Sequence, residues 1–406
     1  MKKIILLIVL TFFAFILPAF CAQVTHIGHF ELLDSYSSVK RGNPISGYDI
    51  NGYYSPVVKL DKTLFLIPLY TVQFEKIRQY LPEDEGNHLS TVYFVQNAVL
   101  SLRKEFKPNW YAKATALGTW SYNKETRDEN WGKGLYDYQD AGWAFDVRHK
   151  KKGQGYQQEY SVKFEYYRRR YPNFSTLLSS TSPAPPERRE KDYLGYKYIA
   201  GFNHIYADGS RLYLKPYFLV KYFTDKYTIE EDGTLNTDKR RKDYVLNIDY
   251  GLSKILAKGL LFSLDNSYTY NTSNLDFYDS QDTVSLSDDA FTKDFYVYHK
   301  NTLTPSFEYS YSLGEKKEVK FKAGYTFAYR DYENRKVQSV DGGYSNKRQK
   351  DREHSVFSSL AVPINKNLDA LLKYSYTWVR SNQDYQAYYR YTYDAYRIEA
   401  GLGIDF

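Results

Sequence analysis

The chain has 406 residues, 43% hydrophobic and 18% aromatic, with a formal charge of +7, a mean hydropathy of −0.61 and a single cysteine. With 45 Tyr against one Met, it departs from a soluble core built on Leu, Ala and Met, and one cysteine excludes a disulfide framework. Two of the positive charges lie at Lys2 and Lys3, and the other basic residues are spread along the chain rather than gathered into one surface, which argues against nucleic-acid binding.

Lys2 and Lys3 precede an apolar run from Ile4 to Pro18, followed by the small residues Ala19, Cys21 and Ala22. A basic end, an apolar middle and a processing site make residues 1–22 a cleaved secretory signal peptide and 23–406 the mature domain. Cys21 follows the bulky Phe20, where a lipoprotein signal wants a small residue; lipid attachment at Cys21 is the alternative to simple cleavage. Beyond the leader no apolar stretch reaches the ~20 residues that a spanning helix needs. The longest, residues 63–72, contains Pro68.

Further along, two kinds of connection alternate. Short turn-forming stretches lie at 60–62, 107–109, 151–154, 207–210, 256–259, 314–317 and 365–367. Longer charged segments rich in Ser, Asp and Gly lie between them, at about 38–46, 76–89, 123–138, 171–192, 224–242, 272–293, 331–352 and 382–390. Eight long and seven short connections predict about sixteen strands, with both chain ends on the side of the short turns. The strand at 26–37 alternates poorly, so fourteen strands, with the first segments forming an arm or plug, is the alternative. Residues 176–190, with Pro183, Pro185 and Pro186, read as either a surface loop or a constriction folded into the lumen.

Between these connections the pattern has period two. Arg211–Phe223 places Leu212, Leu214, Pro216, Phe218, Val220 and Tyr222 on one face and Arg211, Tyr213, Lys215, Tyr217 and Lys221 on the other. Val319–Arg330 and Leu368–Trp378 divide in the same way, as do Trp110–Tyr122, Tyr156–Arg169, Leu194–Phe202, Tyr244–Leu252 and Leu260–Tyr270. The last eleven residues give the strictest case. Tyr396, Ile398, Ala400, Leu402, Ile404 and Phe406 alternate with Arg397, Glu399, Gly401, Gly403 and Asp405.

With its terminal Phe406 after alternating apolar positions, the chain resembles Gram-negative outer-membrane β-barrels of the porin type. The resemblance covers the mature length but rests on architecture and the terminal signal only, so it transfers no binding residues. It implies a transmembrane antiparallel up-and-down β-barrel in the bacterial outer membrane, with short periplasmic turns and long extracellular loops. Tyr396, Ile398, Leu402, Ile404 and Phe406 would be the insertion signal read by the barrel-assembly machinery. Outer-membrane lipid and lipopolysaccharide would surround the barrel, and a homotrimer is possible for such a fold.

Selectivity in a barrel belongs to the inward face. The alternation assigns to it Lys113, Lys163, Arg169, Lys197, Arg211, Tyr213, Lys215, Tyr217, Lys221, Lys320, Lys322, Arg330 and Lys373. Lys163, Arg169, Lys197, Lys215 and Lys221 would share one wall beside Tyr167, Tyr213 and Tyr217, an arrangement that attracts anions and offers rings to sugar faces. Against these stand inward carboxylates at Glu159, Glu165, Asp249, Asp265, Glu308, Asp369, Glu399 and Asp405, able to neutralise them pairwise. The expected function is a passive channel for small hydrophilic solutes with an anion or oligosaccharide preference. The alternative is a non-conducting structural or adhesive barrel acting through its loops.

Catalysis is not expected. Of seven histidines, only Glu353-His354-Ser355 brings candidate groups together, and adjacent strand residues point to opposite faces. No metal-ligand spacing and no cofactor motif is present.

Overall fold

Alternating side chains at period two need an extended backbone whose hydrogen bonds are met by neighbouring strands. The computed structural model describes residues 23–39, 45–79, 89–124, 130–174, 189–279, 290–314, 317–385 and 391–406. Residues 1–22, read above as a signal peptide, and most of the proline-containing segment at 176–190 lie outside them. The elements are β1 (Gln23–Val39), β2 (Ile45–Lys59), β3 (Leu64–Gln79), β4 (Leu89–Lys107), β5 (Trp110–Lys124) and β6 (Tyr138–Gly153). Then come β7 (Tyr156–Arg170), β8 (Tyr193–Tyr206), β9 (Arg211–Ile229), β10 (Leu235–Ala257), β11 (Leu260–Ser273), β12 (Phe277–Asp279) and β13 (Ala290–Thr292). The chain closes with β14 (Tyr298–Gly314), β15 (Lys317–Gln338), β16 (Tyr344–Pro363), β17 (Leu368–Ser381) and β18 (Tyr393–Asp405).

All but β12 and β13 join one closed antiparallel barrel of sixteen strands in chain order, and β1 completes the ring by pairing with β18. The β12–β13 pair is a separate small sheet within the long connection from β11 to β14. Six of the seven short turns fall where the sequence places them, and residues 315–316 of the seventh lie outside the described residues. Gly209 and Gly259 in two of them have φ of 83° and 78°, a conformation that side chains with a Cβ resist and that tight hairpins need.

β1 is a full member of the barrel, paired with β2 from Gln23 to Ser37 and with β18 from His29 to Val39, so the count is sixteen and not fourteen. Its alternation is blurred because both faces are mixed. Leu33 and Val39 are buried on the inner side, whereas Asp34 is exposed among the outer residues. Backbone pairing is indifferent to that mixture.

Two segments expected as loops are strands instead. β9 and β10 continue through most of 224–242, leaving a turn at 230–234, and β15 and β16 continue through most of 331–352, leaving one at 339–343. Their charged sequences lose apolar alternation because a hairpin standing in water has no apolar face to maintain. The ladder persists with shifted registers beyond Arg240 and Asp331.

The closing seam is held at three levels. The Phe406 and Gly28 main chains exchange hydrogen bonds of 2.8 and 3.1 Å, and the Phe406 ring stacks on Phe30 with centroids 6.1 Å apart. At mid-height Gly401 passes so close to the Leu32 carbonyl oxygen that a Cβ there would collide with it. On the inner face Arg397 of β18 reaches over β1 to Asp49 on β2 and to Glu75 on β3, the latter at 2.6 Å. Asp49 is 1% exposed, so removing its cation strands a buried charge. Arg397→Ala is expected to lower unfolding stability by about 3 kcal/mol. Glu105→Ala, which breaks the half-exposed Arg103–Glu105 pair, is expected to cost less than about 1 kcal/mol. Urea unfolding in micelles compares the two, and equal losses would refute the role given to the seam.

Candidate functional site

Residues directly opposite in a ladder point to the same side of the sheet, so the registers sort every strand into two faces. One face carries exposed large apolar side chains, among them Val162, Phe145, Trp143, Leu214, Phe218, Phe321, Leu372, Ile398, Leu402, Ile404 and Phe406. That is the outer wall, and Tyr396 belongs to it through its pairing with Tyr376. Aromatic contacts gather near both ends of this wall. Toward the turns lie Phe30 with Phe406, Trp110 with His149, and Phe262 with Phe307. Toward the loops lie Tyr36 with Tyr396, Phe94 with Tyr122, Tyr196 with Tyr222, and Tyr376 with Trp378. An apolar band between two aromatic belts is the surface a membrane requires of a closed sheet.

The other face is polar and lines the lumen, and all thirteen predicted basic and tyrosine residues lie on it by register. The structure brings Lys113, Lys163, Arg169, Lys197, Lys215, Tyr217 and Lys221 together on β5 to β9. Arg211 and Tyr213 sit toward the turn end of β9. Lys320, Lys322 and Arg330 on β15 and Lys373 on β17 belong to a different sector.

These cations are of two kinds. Several are neutralised in place. Lys163 meets Glu165 at 2.5 Å, Lys373 meets Glu31 at 2.6 Å, and Lys113 lies 4.0 Å from Asp146. Arg169 donates two parallel hydrogen bonds to Asp140, at 2.8 and 2.7 Å, with its guanidinium 3.9 Å from the Tyr138 ring centre. Others stand apart from any carboxylate: Lys197, Lys215, Lys221, Lys320 and Lys322 form no ion pair among the described residues. Lys197 lies 4.1 Å from the Tyr217 ring centre and Lys221 5.6 Å from that of Tyr193, while Lys215, Lys320 and Lys322 are exposed on the inner face. Asp249, opposite Lys215, is engaged elsewhere, accepting from Asn247 and Ser267 at 2.7 Å each. Arg241 takes up Asp243 opposite Lys221 through bonds of 2.8 and 2.9 Å.

Tyr213 donates its hydroxyl to Asp265 at 2.7 Å, Arg211 donates to Asn203 at 2.5 Å, and Arg330 donates to the Tyr332 hydroxyl at 3.2 Å. The sequence reading missed several inner residues that complete the wall. Arg148 bridges Asp146 and Glu159 at 2.9 Å each, and Tyr111 lies between the Arg103 and Arg148 guanidinium groups. The signal for Arg148 was present, because Trp143, Phe145 and Val147 fix the outer parity of β6. The partners of Asp49 and Asp243 had none, since nothing local says which cation will reach them.

His354 and Ser355 fall on opposite faces. His354 stacks on Trp378 outside, with centroids 5.0 Å apart, whereas Ser355 accepts from the Thr377 hydroxyl at 3.0 Å inside.

No protein-family model matches the chain, and no curated protein matches it. Solved structures are similar to it at low identity and low TM-score. A bacterial polysaccharide outer membrane secretin is 7% identical with a TM-score of 0.44, over 94% of this chain and 98% of that one. A loop-deletion mutant of OmpT, an outer membrane protein of Vibrio cholerae, is 11% identical with a TM-score of 0.43, over 94% and 99%. The toluene transporter TodX of Pseudomonas putida is 10% identical with a TM-score of 0.35, over 95% and 90%. Nothing about what this chain does rests on likenesses of that size.

The only cysteine, Cys21, precedes the barrel, which makes the two faces directly testable. In folded protein comprising residues 23–406 in micelles, Lys215→Cys and Lys322→Cys are expected to react with a water-soluble maleimide at least about tenfold faster than Leu214→Cys, whose side is covered by detergent. Equal rates at the three positions would refute the assignment of faces.

Proposed function

We propose that the protein is an outer-membrane channel of the porin type, passing small hydrophilic solutes by diffusion with a preference for anions or saccharides. The observation that carries this reading is the set Lys197, Lys215 and Lys221. These three inner-wall lysines on neighbouring strands β8 and β9 have no carboxylate partner among the described residues, and Lys215 is exposed. A sixteen-stranded ring is wide enough to hold a water-filled passage, whereas eight strands would fill with side chains. In that passage a fixed positive wall lowers the energy of anions and raises that of cations. Tyr217 and Tyr213 beside it present flat polarisable rings on which a sugar face can slide. The short turns then face the periplasm and the tall hairpins the exterior, and the outer residues of β18 up to Phe406 serve as the signal for assembly into the membrane.

A second reading has its own support. The β9–β10 and β15–β16 hairpins extend past the wall, and the connection carrying β12 meets both. Tyr278 lies against Gly233, and the Tyr344 hydroxyl donates to Asp279 at 2.7 Å. Such a braced crown suits attachment through the exterior face.

Single-channel recording in a planar bilayer separates the two. The channel reading expects discrete conductance steps and a reversal potential on the anion side in a salt gradient. Lys215→Glu combined with Lys221→Glu is expected to move that potential toward the cation side with the steps retained. Folded protein that gives no steps would overturn the channel and leave the crown as the working part.

A further inference from the structure

Above the loop-end aromatic belt, the outer wall of β15 to β17 turns basic within a single row. Register places Tyr329, Arg352 and Arg380 side by side across the three strands, with Phe327, His354 and Trp378 in the row beneath. The lower row is a rigid aromatic platform. His354 lies flat on Trp378, its ring centre is 5.0 Å from that of Phe327, and its Nδ1 is 2.5 Å from the Tyr325 hydroxyl. Arg352 and Arg380 above it are exposed and directly opposite one another, a placement in which like charges repel.

The protein only partly offsets that repulsion. Arg380 meets Asp394 at 2.6 Å and donates to the Val379 and Tyr393 carbonyls at 2.8 and 3.2 Å. Arg352 has no carboxylate among the described residues, and its guanidinium stands 6.0 Å from the Tyr329 ring centre. In the next row outward Lys350 sits 3.4 Å from Asp331. Two adjacent guanidinium forks above an aromatic shelf, on the face turned to lipid, fit a tetrahedral dianion whose attached chains run down the apolar wall.

We propose that this rim holds the phosphate of an anionic lipid of the surrounding leaflet, with Arg352 and Arg380 on the phosphate and the acyl chains lying over Trp378, Tyr376 and Leu372. The inference rests on the membrane-spanning reading of the outer wall and is independent of whether the lumen conducts. It also accounts for the pair of like charges at the level where the headgroups begin, where each basic side chain adds to the attraction of an anionic surface.

The test uses the full folded barrel in zwitterionic micelles, titrated with a bisphosphorylated lipid A and with the same lipid dephosphorylated, and counts bound lipid by native mass spectrometry. The wild type is expected to bind the phosphorylated lipid at least about tenfold more tightly. Arg352→Glu with Arg380→Glu is expected to lose that preference, and the corresponding double Lys variant to keep part of it. If the double Glu variant fails to show the gel mobility of a folded barrel, Arg352→Gln alone is compared, with a smaller loss expected. An unchanged preference in the Glu or Gln variant, or none in the wild type, would overturn the proposal. So would a double Glu variant that separates an oligomer into monomers with lipid binding intact, because the rim would then be a contact between copies. Flotation of the wild-type barrel with lipid vesicles checks the membrane reading separately.

Discussion

A sheet that meets lipid on its outside has no water there to satisfy unpaired backbone groups, so its two edges must find each other. In this protein that condition is met along one ladder, where β1 pairs with β18 from His29 opposite Asp405 to Val39 opposite Ala395. Much else is arranged around that seam. Gly401 is bare because the Leu32 carbonyl passes where a side chain would be. Phe406 caps the turn end, and Arg397 ties β18 to β2 and β3 across the inner face. Once the ring is closed, each remaining strand needs only one neighbour on either side, and the chain supplies them in order.

Closure also creates the lumen, and there the chemistry of charge takes over from the chemistry of burial. Carboxylates and cations on the same strand or on neighbouring ones are drawn together because a partly enclosed charge is costly without a partner. Asp146, Asp140 and Asp243 each gather an arginine in this way. Lys197, Lys215, Lys221, Lys320 and Lys322 are the inner-wall lysines left outside such pairs among the described residues. Their availability is a matter of competition: Lys221 faces Asp243 in the ladder, yet Arg241 on the same strand as that aspartate reaches it with two bonds.

The outer wall shows the same division of labour at a different boundary. Apolar side chains fill its middle, aliphatic on most strands and aromatic at Phe145, Phe164 and Tyr198 on β6 to β8, aromatic contacts recur at both margins, and at the loop end charge begins abruptly, as where Arg352 follows His354 along β16. The wall therefore records the thickness of its solvent, and the tall β9–β10 and β15–β16 hairpins, which carry charge on both sides, record where that solvent ends.

Much of this was legible in one dimension. Period-two alternation fixed the faces of Arg211–Phe223, Val319–Arg330 and Tyr396–Phe406, and the turn residues fixed the six short connections that lie within the described residues, because both depend on neighbours within a few positions in the chain. The alternation failed for β1, where Leu33 faces in and Asp34 faces out, and for the hairpins at 224–242 and 331–352, where no lipid enforces a pattern. The sequence by itself determined that the chain is a barrel and, on its clearly alternating strands, which side chains share the inner face. Only the tertiary structure decided that β1 closes the ring against β18, that Arg397 serves Asp49 and Glu75, and that Lys197, Lys215 and Lys221 stand outside ion pairs among the described residues. Each of those outcomes is set by which residues meet across strands far apart in sequence, and a local pattern holds no information about a competition between distant partners.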